Sequence, residues 1–166
     1  MDIVTFQQEG RWYGLFLSSV ADLVPTVYVD SLRTFSPILF GIVCYRERSL
    51  LAVRLRPLLR PASADTSPHR GRSSPERSCV SLLVVGHGPH LVGLPSETVA
   101  CILDVRKEQM ITSASEDDTR ASRLYIRYRD REIAVLDTPR LVRLVRLALG
   151  CAADGLGTIS LEGRPC

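Results

Sequence analysis

Apolar and polar residues alternate in short runs along most of this chain, the period of half-buried β-strands rather than of helices. Asp2 to Gln8 and Arg11 to Leu17 are two such runs, and Glu9-Gly10 between them predicts a hairpin. Ile3, Phe6, Trp12, Tyr13, Leu15 and Leu17 give each strand a face to bury. Ser18 to Asp22 reads as a short helical turn capped by serine, Val24 to Val29 as extended chain, and Ser36-Pro37 as a break. Leu39 to Tyr45 and Leu50 to Leu55 form a second predicted hairpin around Arg46-Glu47-Arg48. Cys79 to Val85 is a nearly continuous aliphatic strand, followed by the turn Gly86-His87-Gly88-Pro89 and a strand from His90 to Leu94. Further strands are predicted at Ala100 to Val105, Leu124 to Tyr128 and Arg131 to Leu136.

The period changes once. Leu141, Leu144, Val145, Ala148 and Leu149 follow the i, i+3, i+4 spacing of a helical stripe, with Arg140, Arg143 and Arg146 largely on the other side. Thr138 is placed to cap that helix, Pro139 suits its first turn and Gly150 its exit. The fold class is mostly β with one long C-terminal helix. Two stretches carry no such pattern. Residues 61–78 are rich in Pro, Ser and Arg and predict a flexible loop between halves, and residues 151–166 predict a disordered tail. The region 1–150 is then one domain.

The halves echo each other. Gly14-Leu15 followed by Val20-Ala21 returns as Gly93-Leu94 followed by Val99-Ala100, and Tyr45-Arg46-Glu47-Arg48 with Ala52-Val53 returns as Tyr128-Arg129-Asp130-Arg131 with Ala134-Val135. The offset of about 80 residues is too long for a solenoid and suits two related half-structures.

Composition narrows the chemistry. The chain has 166 residues, 45% of them apolar, and a net charge of +3 carried by arginine, with Lys107 the only lysine. The arginines are scattered, whereas a nucleic-acid binder shows a dense basic patch interleaved with aromatics. The sequence shows no phosphate loop, dinucleotide fingerprint or nucleophile elbow. His87 and His90 flank a Gly-Pro corner without a third ligand nearby. Cys44 and Cys101, among aliphatics on predicted strands, read as buried apolar thiols, and the five cysteines without a C-x-x-C pair as reduced. Met1-Asp2-Ile3-Val4 has no signal-peptide character, and no apolar run is long enough to span a membrane. An enzyme is not expected, nor a cofactor or a metal.

The ordered set Val4-x-Phe6, Trp12-Tyr13-Gly14-Leu15, Val20-Ala21-Asp22-Leu23, Gly41 to Arg46, Val53 with Leu55-Arg56, Gly93-Leu94 with Val99, and Val135-Leu136-Asp137 with Leu141 resembles the CheW family of chemotaxis coupling proteins. The resemblance spans roughly residues 2 to 148. It implies two interlocked SH3-like β-barrels of about five strands each, with a hydrophobic seam between them. It further implies a non-catalytic cytoplasmic adaptor recruited to membrane-associated receptor arrays without membrane insertion, cofactor or nucleic acid. The implied partners are the regulatory domain of a CheA-type histidine kinase and the cytoplasmic tip of chemoreceptors.

Position by position, Asp22 matches an acidic residue of the family's kinase-contacting surface and Arg46 the turn arginine near the receptor groove. Val20, Leu23, Val43, Leu94 and Val99 are implied to line the groove between barrels, where a helical receptor tip would dock. Four places depart from the family pattern: Glu47 replaces the glycine after the turn arginine, the usual proline is absent from Ser49-Leu50-Leu51, Arg54 replaces an aspartate, and Pro95-Ser96-Glu97 replaces Val-Val-Asp. A second reading is a nucleic-acid-binding barrel using arginine and exposed Tyr or Trp. A third, motivated by Glu47 and Arg54, is a decoy that holds only one partner.

Overall fold

The computed structural model describes residues 1–30, 36–59, 78–98, 101–106, 110–112, 122–129 and 131–150. Eleven strands and two helices follow one another as β1 (Asp2–Gln8), β2 (Arg11–Phe16), β3 (Val20–Asp30), β4 (Leu39–Tyr45), β5 (Arg48–Val53), α1 (Leu55–Leu59), β6 (Ser78–His87), β7 (His90–Ser96), β8 (Cys101–Asp104), β9 (Met110–Thr112), β10 (Ser122–Tyr128), β11 (Arg131–Leu136) and α2 (Thr138–Ala148). The predicted loop 61–78, Ser78 excepted, and the predicted tail 151–166 lie outside the described residues.

The strands form two units, as the repeat predicts. One is a closed five-stranded barrel, β3-β4-β5-β7-β6; the other is an open sheet, β8-β1-β2-β11-β10-β9, with the three-residue β9 as its sixth strand. Closure removes the exposed edges that an open five-stranded sheet leaves. The halves interlock because each sends its opening hairpin into the other unit. The β1–β2 hairpin joins the sheet built by β8 to β11, and the β6–β7 hairpin completes the barrel built by β3 to β5.

Each exchanged hairpin is joined on one side by an antiparallel pairing, β1 with β8 and β6 with β3, and on the other by a parallel one, Gly14 beside Val135 and Gly93 beside Ala52. The repeated glycines therefore sit where one half meets the other. A Cβ on Gly14 would lie 2.9 Å from Ile3 Cγ2, and one on Gly93 3.0 Å from Leu82 Cδ1, so the opposing side chains already occupy that space.

Three cores result. Val29, Val43, Leu50, Ala52, Leu82 and Val84 fill the closed barrel, while Ile3, Val105, Ile126, Ile133 and Val135 back the open sheet. The third is the seam, where Phe6, Tyr13 and Leu15 of the sheet meet Leu83, Val92 and Leu94 of the barrel under Leu141, Val142 and Val145 of α2. Gln8 bridges this seam with a buried amide. Its Nε2 donates to the carbonyls of Val53 (3.1 Å) and Pro95 (3.0 Å), and its Oε1 accepts from the Leu55 amide (2.6 Å). Three chain segments thus satisfy their backbone groups on one side chain.

Several local expectations change. The segment 17–19 is a 3-10 turn without a side-chain cap, and Asp22 stands on β3 rather than in a helical turn. The ladder from Val20–Val85 to Leu23–Leu83 overrides the serine signal. Leu55 opens a short helix instead of ending a strand. Asp137, not Thr138, caps α2, its carboxylate accepting from the Arg140 amide at 3.0 Å; Gly150 leaves the helix at φ 68°, as expected of an exit glycine. Val142 joins the buried stripe and Ala148 is exposed. Cys44 and Cys101 are exposed: Val43 takes the inward position of β4, and β8 is a sheet edge.

Candidate partner-binding surface

The hairpin between β4 and β5 turns on two residues, with Tyr45 paired to Arg48. Arg46 and Glu47 have φ of 47° and 62°, the left-handed pair of a tight hairpin turn. Glu47 thus adopts the backbone for which the family's glycine is suited. Tyr128 and Arg131 pair likewise in the second half, with Arg129 at φ 54°. Each turn arginine also stacks on the tyrosine before it, Arg46 at 5.2 Å from the Tyr45 ring centroid and Arg129 at 5.4 Å from that of Tyr128.

The first turn reaches a carboxylate at the start of β3. Tyr45 Oη donates to Asp22 Oδ2 at 2.8 Å, Arg46 Nη2 donates to the same oxygen at 3.0 Å, and the Leu23 amide donates to Oδ1 at 2.8 Å. These donors stabilise the ionised form, led by the Tyr45 hydroxyl, and hold the Asp22 carboxyl below its ordinary value. Tyr45 is pushed up, first by desolvation and then by its bond to Asp22. The cluster faces outward: the Arg46 side chain is 74% exposed and that of Asp22 31%.

Around the cluster lies a depression of about 660 Å³ whose walls include Ser18, Val20, Tyr45, Arg46, His87 and Leu91. Val20 is half-buried and packs against the seam; Leu23 is 42% exposed on the barrel wall. The structure thus brings Asp22 into contact with Arg46, with Val20 in the wall of the adjoining depression, whereas Leu23, next to Asp22 on β3, pairs with the seam residue Leu83 and faces the other way. Val43 and Leu94 are placed elsewhere. Val43 is 1% exposed inside the barrel, and Leu94 is fully buried in the seam. Both support the surface from beneath. Val99 lies outside the described residues.

Two departures from the family pattern are absorbed locally. Arg54 Nε lies 3.7 Å from Glu9 Oε1, and its guanidinium sits 5.4 Å from the Phe40 ring. Glu97 reaches the first hairpin turn, accepting from the amides of Glu9 (2.7 Å) and Gly10 (3.2 Å), while its own amide donates to Gln7 (2.9 Å).

Sequence reasoning missed Tyr45, Gln8 and Glu97. Tyr45 carried a signal, since the Tyr-Arg pair recurs in both halves. Gln8 and Glu97 carried none, because their partners lie 45 to 88 positions away.

A closed barrel and an open sheet that exchange hairpins across one apolar seam, with a charged cluster turned outward, define a β domain of two interlocked units. The chain belongs to the CheW-like domain family, whose model matches residues 2–146. Its fold is similar to that in the crystal structure of the scaffolding protein TtCheW from Thermoanaerobacter tengcongensis. The two share 17% identity and a TM-score of 0.59 over 82% of this chain and 83% of that one. No curated protein matches the chain in sequence. No described helix is long and apolar enough to cross a membrane.

Proposed function

We propose that this chain is a non-catalytic adaptor coupling chemoreceptors to a CheA-type histidine kinase, acting in the cytoplasm at membrane-associated receptor arrays. The observation that supports this reading is the outward Asp22–Tyr45–Arg46 cluster, whose Asp22 and Arg46 the resemblance matches to partner-contacting positions of the family, with Val20 in the adjoining depression. In this reading Asp22 and Arg46 meet the kinase regulatory domain and the receptor respectively. The partly exposed aliphatics give each contact an apolar centre with a charged rim, the composition that association surfaces favour. A helical receptor tip would engage the apolar side as an amphipathic helix in a groove.

Titration calorimetry of the purified chain against a kinase regulatory domain and against a receptor-tip fragment tests the reading. Saturable binding of both, weakened roughly 10-fold by Asp22→Arg on the kinase side, is expected. Absence of binding to either overturns it. The decoy reading loses its motive where Glu47 and Arg54 are accommodated by the turn and by Glu9. The nucleic-acid reading is weakened because one face of Tyr45, Tyr128 and Trp12 is already covered by an arginine of the chain.

A further inference from the structure

A second cavity, of about 470 Å³, opens between α2 and the β6–β7 hairpin and shares Gly86 and His87 with the depression beside the Asp22 cluster. Its wall is largely apolar, with Val142 at its side and Leu147, 66% exposed, at its rim. Three residues of that lining each carry a buried polar atom with no hydrogen-bond partner among the described residues: Thr138 Oγ1, His90 Nδ1 and Arg146 Nη2. Thr138 is only 2% exposed. Arg143 adds a second guanidinium to the lining, and among the described residues no Asp or Glu contributes to it. Asp137, next to Thr138, is engaged in capping its own helix.

A hydroxyl or an imidazole nitrogen is satisfied by a neutral partner, but a buried guanidinium nitrogen calls for a negative charge. The planar fork of arginine matches a carboxylate, whose two oxygens reach Arg146 and a neighbouring donor together. The apolar remainder of the wall disfavours a heavily hydrated polyanion and favours an attached hydrocarbon or aromatic body. The volume falls within the range of small-molecule sites.

We propose that this cavity binds a small amphiphilic carboxylate, its anionic head held by Arg146, Thr138 and His90 and its apolar body laid against Val142 and Leu147. Calorimetric titration of the full chain with decanoate, decanol and acetate tests the assignment. Decanoate is expected to saturate one site, with decanol and acetate each at least roughly 10-fold weaker, because each lacks one half of the match. Arg146→Met is expected to weaken decanoate roughly 10-fold. Leu147→Glu, at an exposed position where folding is not at stake, is expected to do the same by placing a negative charge at the rim. No saturable heat with decanoate, equal binding of decanol, or unchanged affinity in Leu147→Glu overturns the proposal.

Discussion

Arg46 and Glu47 turn the β4–β5 hairpin in a backbone region that costs a side-chain-bearing residue about 1 kcal/mol relative to glycine. Glu47→Gly is therefore expected to raise stability by about 1 kcal/mol in urea unfolding. A fall would show that the glutamate side chain holds the turn. Asp22 gives a pH signature. Its carboxyl is held below the ordinary value of 3.8, chiefly by the Tyr45 hydroxyl, so its stabilisation is present above that value and lost as pH falls through the lowered one. The stability gap between the parent and Asp22→Asn should therefore be constant near neutrality and shrink below about pH 4; a gap unchanged into acid contradicts the cluster. Gln8→Leu removes the partner of three buried backbone groups and is expected to cost about 3 kcal/mol by denaturant titration. At this scale Asp22 and Arg46 were legible through their place in an ordered motif. Gln8 was not: a strand-end glutamine reads as surface until the chain returns to it from 45 residues away.

Hairpins were the most legible elements, because two-residue turns and alternating flanks fix both the pairing and its register. The β1–β2, β4–β5, β6–β7 and β10–β11 pairs all lie within a few residues of where the pattern puts them. Elements decided by distant partners were not legible. Ser18 to Asp22 reads as one helical turn, yet pairing with β6 keeps the chain extended from Val20 onward, and α1 and β9 are too short for any period to show. The two repeated glycines give this scale its prediction. Gly14→Ala presses on the stiff β-branched methyls of Ile3 and Ile133 and is expected to cost about 2 kcal/mol, whereas Gly93→Ala pushes aside the flexible end of Leu82 and is expected to cost about 1 kcal/mol. They abut different cores, Ile3 of the open sheet and Leu82 of the closed barrel, so the double variant should equal the sum within about 0.5 kcal/mol. A large excess would mean that the two cores respond as one.

Over the whole molecule, the repeat announces two halves but does not announce that they trade hairpins. Sequence similarity between halves says nothing of which strand lies beside which. The parallel joins of Gly14 with Val135 and Gly93 with Ala52 require both halves before either unit is complete. Residues 1–59 alone would leave β1–β2 without their sheet and β3–β5 without the strands that close the barrel. That fragment is expected to give the circular dichroism of an unfolded chain, and a folded fragment would contradict the interlock. The same architecture fixes Asp22 and Arg46 in contact on one barrel wall, and the proposed function has this chain hold two partners together. Sedimentation velocity of an equimolar mixture of this protein, a kinase regulatory domain and a receptor-tip fragment tests that bridging role most directly. The expected result is a single species containing all three, lost when Asp22→Arg is introduced; only binary species with the unaltered protein would contradict it.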